Sequence, residues 1–264
     1  MKLKQSIRYQ LADYIGPVII YYGIVLALYA LYYAACVFAW ANMNFSGGLS
    51  SCTAIFLFIC GLCSFHDNLP MHLQNGVSRN TMFQGRLAVT GITCGVMALA
   101  DTVLGTILDA IPFYVRYAQT YYRYTGSSRF SLLHTLFHSS ETGEPLYGGV
   151  GGLLLSLVFN FALLLLASCL GYFIIVFFYR LPVKLRIVAG ACAGFVLFFG
   201  VPGVKILDTN LLGEGLRAFF SRHVEPVLEF IWENPFALMG TWAVAAVVLS
   251  ALSWLLMRRT AVAR

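Results

Sequence analysis

The chain reads as an all-α, polytopic membrane protein, and three features of the sequence say so. Hydrophobic residues fill 59% of its 264 positions and charged residues only 11%, whereas a soluble domain carries roughly 25% charged residues. A hydrocarbon core about 30 Å thick asks for roughly 20 apolar residues per helix, and six runs answer to that description: residues 17–40, 48–65, 87–111, 149–179, 187–204 and 236–257. The runs are rich in Leu, Val, Ile, Phe and Tyr without strict alternation. In lipid every backbone group has to be bonded within its own segment, so helices fit this pattern and barrel strands do not. Residues 1–264 form a single transmembrane domain on this reading.

Met1 to Tyr14 places Lys2, Lys4, Arg8 and Asp13 among Leu3, Ile7 and Leu11, which recur every four residues. That pattern suits an N-terminal interfacial helix lying along the membrane. A frayed basic terminus that only enforces topology would look the same. The first run is too long for the roughly 7–15 residue core of a cleaved signal peptide, so it stays as a span. All seven cysteines fall inside predicted spans, where they act as small apolar side chains. Cys60 and Cys63 have redox or zinc spacing, yet they lie in lipid without a second ligand pair and read as packing.

Between spans two and three, residues 66–86 form an inner loop with its own punctuation. Asp67-Asn68-Leu69-Pro70 offers a cap followed by Pro in a first turn, Met71 to Gln74 supply one or two helical turns, and Asn75-Gly76 ends them. Ser78 then caps the helix that becomes span three. The expected product is a short cytosolic helix rigidly joined to two spans, a lever that a soluble partner could move.

Asp101 and Asp109 are the only charges inside the six runs. Asp109 is near the boundary. Asp101 is well inside, where a carboxylate costs about 2.5–3.5 kcal/mol on insertion scales, so it either faces a pathway or makes an interhelical polar contact. Asn160 in span four is a candidate for an interhelical hydrogen bond. Gly91 with Gly95, Gly148 with Gly152, and Gly190 with Gly194 have the spacing that lets helix backbones approach.

Two outer loops, 112–147 and 205–235, separate the later spans. The first interleaves Tyr114, Tyr117, Tyr121, Tyr122 and Tyr124 with Arg116, Arg123 and Arg129, either an aromatic belt or a grip on an anionic ligand. His134 and His138 sit four apart without a third ligand nearby, so no metal is expected. The second contains the amphipathic stretch Leu211 to Asn234, which suits a segment lying flat or dipping partly into the membrane.

Basic residues orient the bundle. With the N-terminus inside, the inner face holds Lys2, Lys4, Arg8, Arg79, Arg86, Arg180, Lys184, Arg186, Arg258, Arg259 and Arg264 of the seventeen Lys and Arg. This predicts N-in and C-in. The net charge of +6 then meets anionic lipid headgroups rather than nucleic acid.

Catalytic signatures are lacking. The sequence has no GxxxxGK[ST], HExxH or GxSxG, so it supplies no Walker loop of its own. His66, Asp67 and His72 lie close together and are what an enzyme reading would rest on.

Asn75 to Phe83, followed by Arg86, resembles the inner loop of ABC-2 type transporter permeases. Leu170-Gly171-Tyr172 through Phe178-Tyr179-Arg180-Leu181, and Asn234-Pro235 with Met257-Arg258-Arg259-Thr260-Ala261-Val262, resemble that family's fourth and closing helices. The resemblance implies half of an ATP-binding cassette transporter, an exporter in the cytoplasmic membrane of a bacterium, paired with a second permease chain, identical or related. It implies that a separate ATPase holds ATP and Mg while this chain carries no cofactor. Asp67, Leu69, His72, Gly76, Ser78, Arg79 and Phe83 are then the residues that couple to the ATPase, and Leu211 to Asn234 is the outer re-entrant region. A non-transporting sensor or immunity subunit, or a polytopic membrane enzyme, would share the hydropathy.

Overall fold

The computed structural model of the protein describes residues 2–39, 48–74, 76, 78–110, 132–137, 149–182, 185, 230–232 and 234–258, and these contain helices and no strand. The elements are α1 (Lys2–Ala39), α2 (Gly48–Gln74), α3 (Arg79–Ala110), a short α4 (Leu132–Leu136), α5 (Gly149–Arg180) and α6 (Pro235–Arg258). Four of them, α1, α3, α5 and α6, are long and apolar enough to cross a membrane, and α2 holds a shorter apolar stretch, Leu49–Ser64. The architecture is that of an all-helical, multi-pass membrane protein. The expected span 187–204, residues 112–131 and 138–147 of the first outer loop, and residues 205–229 of the second lie outside the described residues.

Contacts along the helices fix their directions. Ser6 and Gln10 of α1 sit beside Gly85 of α3, and Tyr22 sits beside Met97 and Asp101, so these two helices run the same way. Asn160 of α5 meets Thr102, while Tyr172 and Val176 meet Met82 and Phe83, so α5 runs against α3. Gly61 of α2 meets Ser168 and Gly171, and Phe159 and Tyr172 meet Trp242 and Met257 of α6. Thus α2, α5 and α6 finish at the end where α1 and α3 begin. Every Lys and Arg among the described residues, Lys2, Lys4, Arg8, Arg79, Arg86, Arg180 and Arg258, belongs to that one basic end.

Three apolar clusters are stacked along the bundle. Met82, Phe83, Tyr172, Val176 and Met257 close the basic end. Leu57, Cys94, Met97, Ala98 and Leu164 fill the middle. Leu133, Phe137, Phe159 and Leu238 seal the far end, where α4 packs on α5 and α2. Outward faces are apolar too: Ile19 of α1 is 66% exposed and Leu31 71%, as expected of side chains that meet lipid.

Three local expectations need correction. No separate interfacial helix precedes span one, because α1 is continuous through Pro17. Its first turns are held by a polar stripe, Ser6, Gln10 and Tyr14, buried against α3, while Leu3 is exposed. A proline forfeits one helical hydrogen bond, and membrane helices tolerate that loss. Nor is there a separate short helix after span two, since α2 runs on to Gln74 through Pro70.

The third correction concerns glycine. A Cβ on Gly91 would meet nothing within 4 Å and one on Gly95 only a Phe161 ring carbon at 3.9 Å. Gly152 is buried on α5, whereas Gly148, Gly190 and Gly194 lie outside the described residues. The close approach is made by Gly61 and Gly171, which carry no GxxxG spacing. A Cβ on Gly61 would fall 2.7 Å from the Ser168 carbonyl oxygen, and one on Gly171 would overlap the Phe58 carbonyl oxygen.

Gly171→Ala forces two backbones apart and should destabilise the bundle by about 1–3 kcal/mol, the usual cost of overpacking. Gly91→Ala, into open space, should be neutral or slightly stabilising. Thermal unfolding of both variants in detergent checks the contrast; equal midpoints would show that the α2–α5 approach does not limit packing.

Candidate functional site

The turn joining α2 to α3 is built for a sharp reversal. Gly76 has a φ of 65°, in the left-handed region that side-chain-bearing residues avoid. Two residues later Ser78 caps α3: its hydroxyl accepts the Thr81 N–H at 3.2 Å and its carbonyl accepts the Met82 N–H at 3.0 Å. Arg79, the first residue of α3, is half-buried, while Gly76 and Ser78 are exposed.

One turn further the helix is anchored. Met82 and Phe83 are buried among Tyr172, Val176 and Met257, and the Trp254 indole N–H donates to Asn80 Oδ1 at 3.4 Å. Arg258 lies 5.6 Å from the centre of that indole. The turn is therefore pinned to the finishing ends of α5 and α6. Of the expected coupling residues, Gly76, Ser78 and Arg79 gather at the tip and Phe83 serves as its root, turned inward. Asp67, Leu69 and His72 belong to the last turns of α2, and their side chains lie outside the described residues.

Arg86 is the functional candidate that sequence reasoning undervalued, having counted it only toward topology and the family pattern. It is 4% exposed. Its Nη1 donates to the Tyr14 hydroxyl, and its guanidinium lies 5.1 Å from the Tyr14 ring centre and 5.3 Å from that of Tyr172. Arg favours such aromatic faces. The signal was present as phase: Arg86 shares a helical stripe with Met82, Val89, Thr93 and Met97, all buried, so its side chain had to enter the bundle.

Asp101 and Asn160 lie toward the opposite end. Asp101 is 2% exposed, and its Oδ1 accepts the Tyr22 hydroxyl at 2.8 Å. That hydroxyl also lies 3.2 Å from the Met97 carbonyl oxygen. Beside it, the Tyr21 and Thr53 hydroxyls pair at 2.8 Å, and Thr53 donates to its own helix at the Leu49 carbonyl. Asn160 Nδ2 donates to Thr102 Oγ1 at 3.4 Å. Polar contacts thus tie α3 to α1 through Asp101 and to α5 through Asn160. Asp101 Oδ2 and Asn160 Oδ1 remain without a hydrogen-bond partner.

Among the described residues no group of three His, Cys, Asp or Glu is arranged to hold a metal ion. Cys52, Cys60, Cys63, Cys94 and Cys169 are free thiols. His138 and the side chains of His66 and His134 lie outside the described residues. Comparison with protein-family models, curated proteins and solved structures finds no match to this chain.

The Tyr22–Asp101 bond can be weighed directly. Tyr22→Phe leaves a buried carboxyl group without its donor, and a double-mutant cycle with Asp101→Ala, which removes the acceptor, should return a coupling of about 1 kcal/mol, within the range measured between membrane helices. Additive losses in the unfolding midpoint would mean that the two side chains act independently.

Proposed function

We propose that the chain is the permease subunit of an ATP-binding cassette transporter, forming half of a pathway with a second permease chain and driven by a separate ATPase. The observation that carries this reading is the α2–α3 turn. Its tip, where Gly76 and Ser78 are exposed and Arg79 half-buried, is joined within one helical turn to Met82 and Phe83, which are packed against α5 and α6. A push on the tip would be felt by three helices at once rather than being absorbed in a loose loop. The basic end supports placing the turn in the cytoplasm, because Lys and Arg bias marks the inner side of short connections. Export is the direction that the family resemblance favours.

A non-transporting subunit would have no use for a rigid tip of this kind, and the reading is tested on that difference. Tagged chain purified from its native membrane in mild detergent should bring with it an activity that hydrolyses ATP. Arg79→Glu reverses the charge at the tip, and Gly76→Pro forbids the positive φ because proline is held near −65°. Each should cut the co-purified ATP hydrolysis, Arg79→Glu by about tenfold, the effect of losing one charge-assisted contact, without changing the amount of folded permease. ATP hydrolysis that never co-elutes, or that co-elutes undiminished in both variants, would overturn the assignment.

A further inference from the structure

Arg86 carries a charge into the bundle that nothing described there neutralises. Among the described residues it makes no ion pair, and its Nε and Nη2 have no hydrogen-bond partner. These two atoms form one edge of the guanidinium, whose parallel N–H bonds match the two oxygens of a carboxylate or phosphate. Only Nη1, on the other edge, is engaged, by Tyr14. A buried cation in low-dielectric surroundings is costly unless paired, and the tyrosine faces supply only part of what an anion would.

A pocket adjoins the same side chain. Arg86, Thr90, Ser168, Ser250 and Ser253 line it, with apolar and aromatic neighbours, where α3, α5 and α6 meet; it is partly open, and its volume of about 10 Å³ gives room for one oxygen-sized group. Of its four hydroxyls, Ser250 and Ser253 already donate to the Ala246 and Leu249 carbonyl oxygens of their own helix, which leaves Thr90 and Ser168 as the donors beside the guanidinium. Depth fits as well. At about 1.5 Å per residue the 32 residues of α3 extend well beyond a hydrocarbon core of about 30 Å, and Arg86 lies about 10 Å from the helix start, near the level of the headgroups. An arginine there could reach outward to water, as such side chains do near helix ends. It is turned inward instead.

We propose that Arg86 anchors an oxyanion site between α3, α5 and α6, in which the Nε–Nη2 edge, with the Thr90 and Ser168 hydroxyls in support, receives an oxygen of a phosphate group whose remainder lies at the pocket mouth. The phosphate belongs either to a lipid headgroup or to a soluble molecule. Neither source depends on the ATPase reading, and purified permease alone is sufficient for the test.

Unfolding midpoints in neutral detergent are measured against inorganic phosphate, a short-chain phosphatidic acid, and a matched diacylglycerol lacking phosphate. A saturable rise with either phosphate compound and none with diacylglycerol is expected. A response to phosphatidic acid alone assigns the site to a lipid headgroup, and a response to inorganic phosphate as well assigns it to a free oxyanion. Arg86→Lys keeps the charge but removes the two-pronged edge, and should weaken the apparent affinity by about tenfold or more. Thr90→Val, which leaves Arg86 in place, should weaken it less. No response from the unaltered protein overturns the site, as does a response undiminished in both variants.

Discussion

The bundle depends on how closely α2 can lie against α5. Lipid gives no hydrophobic reward for bringing two apolar helices together, so their association rests on dispersion contacts and on hydrogen bonds that require proximity. Gly61 and Gly171 provide that proximity by having no side chain where the Ser168 and Phe58 carbonyls approach. With α5 held there, its two flanks are set: one meets α3 through Leu164, Cys94 and Met97, and the other meets α6 through Tyr172 and Met257. The α1 helix has fewer such contacts, and polar side chains join its apolar ones, Val18 and Val25 among them, in attaching it to the bundle. Ser6, Gln10, Tyr14 and Tyr22 all face α3.

The two buried charged groups of α3 are separated by depth. The capping Ser78 and the cation of Arg86 are at the basic end, whereas Asp101 and Thr102 are several turns away toward the other. From residue 86 to residue 101 is about 22 Å at 1.5 Å per residue, too far for the two charges to neutralise each other by contact. Each must therefore find its partners locally, and the local partners differ in kind. Asp101 receives a hydroxyl hydrogen bond from α1, which links helices. Arg86 receives aromatic faces and a single acceptor, with one whole edge left over.

Much of this was legible in the amino-acid sequence, and the misreadings have physical causes. The positions of the four long apolar helices followed from apolar length alone, and the caps at Gly76 and Ser78 followed from residues whose conformational preferences are local. Asp101 and Asn160 were recognisable as interhelical polar groups because a polar atom in lipid has few alternatives. What failed was any inference that depended on which faces meet. The Leu3, Ile7 and Leu11 stripe looked like the buried side of an interfacial helix, but the buried side is Ser6, Gln10 and Tyr14. In a membrane, apolar faces belong outside as readily as inside, so amphipathicity loses its direction. Glycine spacing failed for a related reason: Gly61 and Gly171 come from different helices, and no pattern within one helix announces them.

The inward turn of Arg86 and the anchoring of the α2–α3 turn are connected through one helix. Phe83 and Arg86 lie three residues apart on α3, and both touch Tyr172: Phe83 in the apolar cluster at the basic end, Arg86 by presenting its guanidinium to the ring. Any displacement of the first turn of α3 relative to α5 must shift both side chains against Tyr172 and its buried neighbours. An oxyanion held between Arg86 of α3 and the Ser168 hydroxyl of α5 would resist that shift, since its hydrogen bonds span the moving boundary. Under the proposed function, occupancy of the pocket would then favour one arrangement of the basic end over another, in proportion to the difference in anion affinity between the two.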